Sequence, residues 1–92
     1  MLHQTEAKAQ CWRAIAIFND ERAEALVVVG RSSTQVRETY LEAYTDLFDE
    51  EEKEHIESME LQRWHGAPDA GQWLTQAKLK LPAQRLVGVA AA

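Results

Sequence analysis

Between Leu26 and Leu47 the apolar residues change their spacing, and no other feature limits the fold as strongly. "LVVV", residues 26–29, is a continuous apolar run of strand length, closed by Gly30. From Val36 the apolar side chains return as Val36, Tyr40, Ala43, Tyr44 and Leu47. Steps of three and four residues place them along one stripe of a helix. A strand therefore passes through a short polar loop into an amphipathic helix. The opposite helical face carries Glu38, Glu42, Asp46 and Asp49, an acidic surface expected to meet solvent.

Upstream, "CWRAIAIF" (11–18) is rich in aromatic and β-branched residues and reads as a first strand. "NDER" (19–22) supplies the reversal that joins it to the second as a hairpin. Downstream, Asp49 followed by Glu52 has capping-box spacing, which predicts a break and a second short helix through "EEEKEHI". "SMELQRW" (58–64) alternates as a third strand, with Met59 and Leu61 on one face and Trp64 on the other. "HGAPDAG" turns the chain, and residues 72–82 fit both a strand and a four-residue repeat; the strand is taken, with Pro82 ending it.

The sum is a single α+β domain over 1–92: a small two-layer sandwich with a mainly antiparallel three- or four-stranded sheet. Its order is β-β-α-β, with or without a further β, and one long amphipathic helix lies on one face. Residues 1–9 are expected to form a mobile N-terminal tail and 83–92 a loosely attached C-terminal one.

Composition narrows the function classes. Ninety-two residues suffice for one core but not for separate catalytic and binding domains, and 46% hydrophobic with 27% charged residues is the balance of an ordinary soluble protein. No apolar run approaches the roughly 20 residues that span a bilayer, and "MLHQTEAKAQ" has no signal-peptide pattern, so no membrane partner and a cytoplasmic location are expected. Cys11 is the only cysteine, which excludes an intrachain disulfide. The net charge of -5 is unevenly laid out: Glu38 to Glu60 holds ten acids against Lys53 alone, while the remainder holds five acids and nine bases. A net-acidic chain does not predict a nucleic-acid surface.

Sites can be weighed on the same terms. A phosphate-binding loop needs several glycines and a lysine before a hydroxyl, whereas Gly30 stands alone with no lysine after it. "RSSTQ" is better explained as a helix start, Ser32 with Gln35 matching a capping box and Ser33 or Thr34 offering alternative caps. Arg31, Ser32, Ser33 and Arg37 at the start of the helix are the candidate anion or ligand site. Glu51 and His55 share a helical face but lack the further ligands of a metal site, so no metal and no cofactor are expected. No carboxylate pair is marked out for acid–base catalysis. Trp12, Trp64 and Trp73 fit a core or an interface better than a stacking platform.

The leading expectation is a small acidic, non-enzymatic binding or assembly module. Alternatives are a small-ligand or anion-binding protein at the 30–37 junction and an acidic mimic engaging a basic partner. Self-association, as a homodimer, follows from the strands. Trp12, Ala14, Ala16 and Phe18 line one face of the first, Cys11, Ile15 and Ile17 the other, and "LVVV" is apolar on both. One helix covers one face only. Trp12, Phe18, Ile15 and Ile17 are the expected interface residues, unless Leu86 and Val89 fold back as a lid.

Overall fold

The computed structural model describes residues 11–82. The expected tails, and Leu86 and Val89 with them, lie outside the described residues. Strands β1 (Trp12–Phe18), β2 (Ala25–Gly30), β3 (Ile56–Ala67) and β4 (Ala70–Leu79) form one open antiparallel sheet in the order β2-β1-β3-β4. Helix α1 (Ser33–Leu47) and the short helix α2 (Glu50–Glu54) lie between β2 and β3 in the chain. The α+β sandwich expected from the sequence is what forms, with the optional fourth strand present.

The β1–β2 hairpin turns on Asp20, whose carboxylate accepts from the backbone and side-chain nitrogens of Arg22, each at 3.0 Å. Because β2 and β3 both run antiparallel to β1, the helical connection carries the chain over β1 between two mutually parallel strands. The connection thus lays α1 over β2 and β1.

Ser32 is the N-cap, its hydroxyl accepting from the Gln35 amide at 3.1 Å. The Gln35 side chain returns to the amide of Arg31 at 2.6 Å, one residue before the usual capping-box partner. Gly30 has a packing reason. A Cβ there would stand 3.0 Å from Val36 Cγ2 and 3.1 Å from Gln35 Oε1, so any larger residue would press on the first helical turn.

The buried helical stripe is Val36, Tyr40 and Tyr44, continued by Phe48 just past the helix. Leu47, expected in the stripe, is 51% exposed. The helix stops at Leu47 and Phe48 turns extended (φ -113°, ψ 141°), which swings the Phe48 ring inward in its place. Phe48 meets Phe18 edge-on at 6.0 Å and lies 5.9 Å from Tyr44. Asp49 and Glu52 form the expected capping box, with reciprocal bonds of 2.8 and 2.9 Å.

On the sheet side the core takes Ala14, Ala16 and Phe18 of β1, Val27 of β2, Ile56, Met59 and Leu61 of β3, and Leu79 of β4. Small residues at 14 and 16 allow the helix to approach the centre of the sheet. The Tyr40 hydroxyl donates to the Lys80 carbonyl at 2.7 Å and ties the helix to the far edge of the sheet. β3 is longer than the expected 58–64, and β4 ends at Leu79, three residues before Pro82. Together they extend as a hairpin arm beyond the start of β1.

Candidate functional site

Side chains alternate across a strand, so the residues that do not meet α1 assemble on the opposite sheet face. Arg13, Ile15 and Ile17 come from β1, Leu26 and Val29 from β2. β3 contributes Ser58, Glu60, Gln62 and Trp64, and β4 contributes Trp73, Thr75 and Lys78. No described element lies over this face.

The register places Arg13 beside Gln62 and Gln62 beside Thr75. Arg13 Nε donates to Gln62 Oε1 at 2.8 Å, Gln62 Nε2 donates to Thr75 Oγ1 at 3.2 Å, and Thr75 Oγ1 donates to Glu60 Oε1 at 2.7 Å. The chain of bonds satisfies Gln62, which is buried at 8% exposure. The guanidinium of Arg13 reaches across β3 and stacks 4.2 Å from the Trp73 ring centroid. Burial holds the Arg13 guanidinium below its ordinary pKa range, partly offset by Glu24. It remains a cation, fixed along one edge by Gln62 and on one face by Trp73.

Trp73 is paired with Trp64 across the hairpin, ring centroids 5.3 Å apart and planes at 71°. The Trp64 indole N–H donates to the Ala67 carbonyl at 3.0 Å. The next pair along the arm is Gly66 and Gly71. Gly66 has φ +115°, a conformation L side chains rarely adopt, and a Cβ on Gly71 would stand 2.8 Å from the Trp64 ring. Two glycines thus let the arm twist and clear a bed for the indole. On the helix side of the arm Arg63 lies 5.3 Å from the Trp12 ring centroid, so each face carries an arginine–tryptophan pair.

The expected site residues fall in separate places. Ser32 is occupied as the cap, and the Arg31 and Gln35 amides are used within the same turn. Arg31 and Arg37 are exposed and Ser33 is half-buried. Glu38, Glu42, Asp46 and Asp49 are all exposed. Of the expected interface residues, Phe18 is spent in the core and Trp12 packs against it, on the face that α1 covers. Ile15 and Ile17 lie on the uncovered face, where Ile15 is only 3% exposed. His55 lies near Asn19 and Asp20 rather than with Glu51 in a ligand set. Among the described residues no three His, Cys, Asp or Glu side chains gather as for a metal ion, and no helix is long and apolar enough to cross a membrane.

The second face also differs from the bare apolar surface expected. Long polar side chains shield its centre, and its open apolar surface is concentrated at Leu26 (54% exposed) and Val29 (38% exposed). Sequence reasoning passed over Arg13, although it stands between Cys11 and Ile15 in the same alternation. Gln62 and Thr75 were equally placed by alternation, but nothing local marks them as partners. Comparison with protein-family models, with curated proteins and with solved structures finds no match, so the site's own geometry carries the reading.

Proposed function

We propose that this chain is a small, non-enzymatic, cytoplasmic assembly module that pairs with a second copy through the uncovered sheet face. The observation that carries this reading is the combination on that face of exposed Leu26 and Val29, half-buried Ile17 and the Trp64–Trp73 pair. Aromatic and aliphatic surface of this kind gains by exclusion of water, and aromatic residues with arginine are enriched at interface cores.

The sheet edges favour the face over edge-to-edge pairing. Val27 is an extra residue in β2, between the Ala14–Val28 and Ile15–Leu26 pairs. Gln76 is an extra residue in β4, between the Leu61–Ala77 and Gln62–Thr75 pairs. Such bulges break the regular edge that an added strand would need.

Light scattering coupled to size-exclusion chromatography at micromolar concentration tests the reading. The expected mass is twice the 10.5 kDa of one chain. A mass of one chain that persists on concentration overturns it.

The exposed acids Glu38, Glu42 and Asp46 favour a second reading, engagement of a basic partner through α1. That association would weaken steeply with added salt, whereas pairing driven by apolar burial at Leu26 and Val29 would persist.

A further inference from the structure

The two ends of the uncovered face carry opposite charge. At the arm end Arg13 is fixed on Trp73 by its Nε bond to Gln62, and its two terminal nitrogens have no acceptor among the described residues. At the other end stands Glu57, the extra residue of β3 between the Phe18–Ile56 and Ile17–Ser58 pairs. Glu57 stands between Ile56, which is buried in the core, and Ser58, which shares the uncovered face with Ile17; it is exposed and has no ion pair among the described residues. One end thus offers a pre-oriented carboxylate receptor and the other a free carboxylate.

We propose that the Arg13–Trp73 seat of one copy receives the Glu57 carboxylate of a second copy, which fixes the dimer with its facing strands antiparallel. This rests on the assembly reading above and adds its geometry. Take a two-fold axis in the plane between the sheets, crossing the strands at the level of the Ile15–Glu60 pair. Such an axis lays β3 over β3 and sends each level of the sheet to the level equally far on the other side. The Arg13 guanidinium, leaning over Gln62 toward Trp73, then faces the level of Ser58 and Glu57. On the axis itself Glu60 meets Glu60 of the second copy and Lys78 meets Lys78, each like pair flanked by the opposite charge of its neighbour. An oriented guanidinium takes a carboxylate through two parallel N–H bonds, and the two-fold makes the contact twice.

Charge exchange tests it, with circular dichroism confirming the fold of each variant. Arg13→Glu and Glu57→Arg, each alone, are expected to weaken homodimerisation by at least about tenfold, because each sets like charges opposite one another twice. Mixing the two variants in equal amounts is expected to restore wild-type affinity, since the mixed dimer pairs Glu with Arg at both contacts. Should Arg13→Glu fail to fold, Glu57→Arg at its exposed position tests the same contact from the other side, with Glu57→Gln, which removes the charge without reversing it, expected to weaken the dimer less than Glu57→Arg. A wild-type dimer whose affinity neither variant changes, or a mixture that stays monomeric, overturns the antiparallel geometry and leaves the assembly reading standing. A wild-type chain that is monomeric overturns both. A single-stranded oligonucleotide that binds the wild-type chain, loses binding with Arg13→Glu and dissolves the dimer would assign the seat to phosphate and overturn the second copy as its occupant.

Discussion

The indole of Trp64 lies across Gly71 so closely that a methyl group on Gly71 would stand 2.8 Å from both Cε2 and Nε1 of the ring. The same methyl group would meet the backbone carbonyl oxygen of His65 more closely still, so Gly71→Ala must shift the β3–β4 backbone as well as the Trp64 indole. The expected cost is about 1–3 kcal/mol, the range for overpacking a close contact. A urea titration followed by tryptophan fluorescence checks it: the variant should unfold at lower urea, with an altered native spectrum. An unchanged midpoint and spectrum would contradict the close approach of both the His65 carbonyl and the Trp64 indole to Gly71.

The cap at Ser32 gives a second expectation. Ser32→Ala removes the acceptor for the Gln35 amide and should cost about 0.5–2 kcal/mol, measured by denaturant unfolding. Ser33→Ala should cost less, because Ser33 is not the cap. Equal losses at the two positions would show that the choice of Ser32 is wrong.

Glu42 occupies the exposed flank of α1, opposite Val36, Tyr40 and Tyr44. Glu42→Lys should leave stability within about 0.5 kcal/mol, as surface substitutions do. The same titration decides it. If this single change unfolded the domain, the helix would have to be rotated from the orientation described.

Asp20 should titrate below the ordinary aspartate range. Its carboxylate is held down first by the backbone N–H of Arg22; desolvation opposes this next, and the Arg22 side-chain bond and the charges of Arg22 and His55 lower it further. A carboxyl whose folded pKa is lowered contributes stability above its unfolded pKa, and loses that contribution as pH falls through the folded value. The β1–β2 turn should therefore loosen only under acid conditions. An NMR titration of the Asp20 carboxyl carbon checks the direction. Arg22→Ala should raise the midpoint only in part, because the residue keeps its backbone N–H. A midpoint at or above that of a free aspartate would contradict the turn geometry.

The order of elements was legible in the sequence because it rests on local period. Alternation in "CWRAIAIF", the switch to four-residue steps at Val36, Tyr40 and Tyr44, and the polar caps at Ser32 and Asp49 each depend on residues within a turn of one another. Those patterns determined a hairpin, a long helix with an acidic outer face, and further strands. Beyond the β1–β2 hairpin they could not determine that β1 would lie between β2 and β3, because that pairing joins residues such as Arg13 and Gln62 that are far apart in the chain. Nor could they locate the bulges at Val27, Glu57 and Gln76. A bulge exists only relative to a partner strand, and each shifts the faces of the residues beyond it. Phe48 replaced Leu47 in the core for a related reason: the end of a helix is settled by the space its last side chain must fill. The seat formed by Arg13, Gln62 and Trp73 brings together three strands, and only the tertiary structure could assemble it.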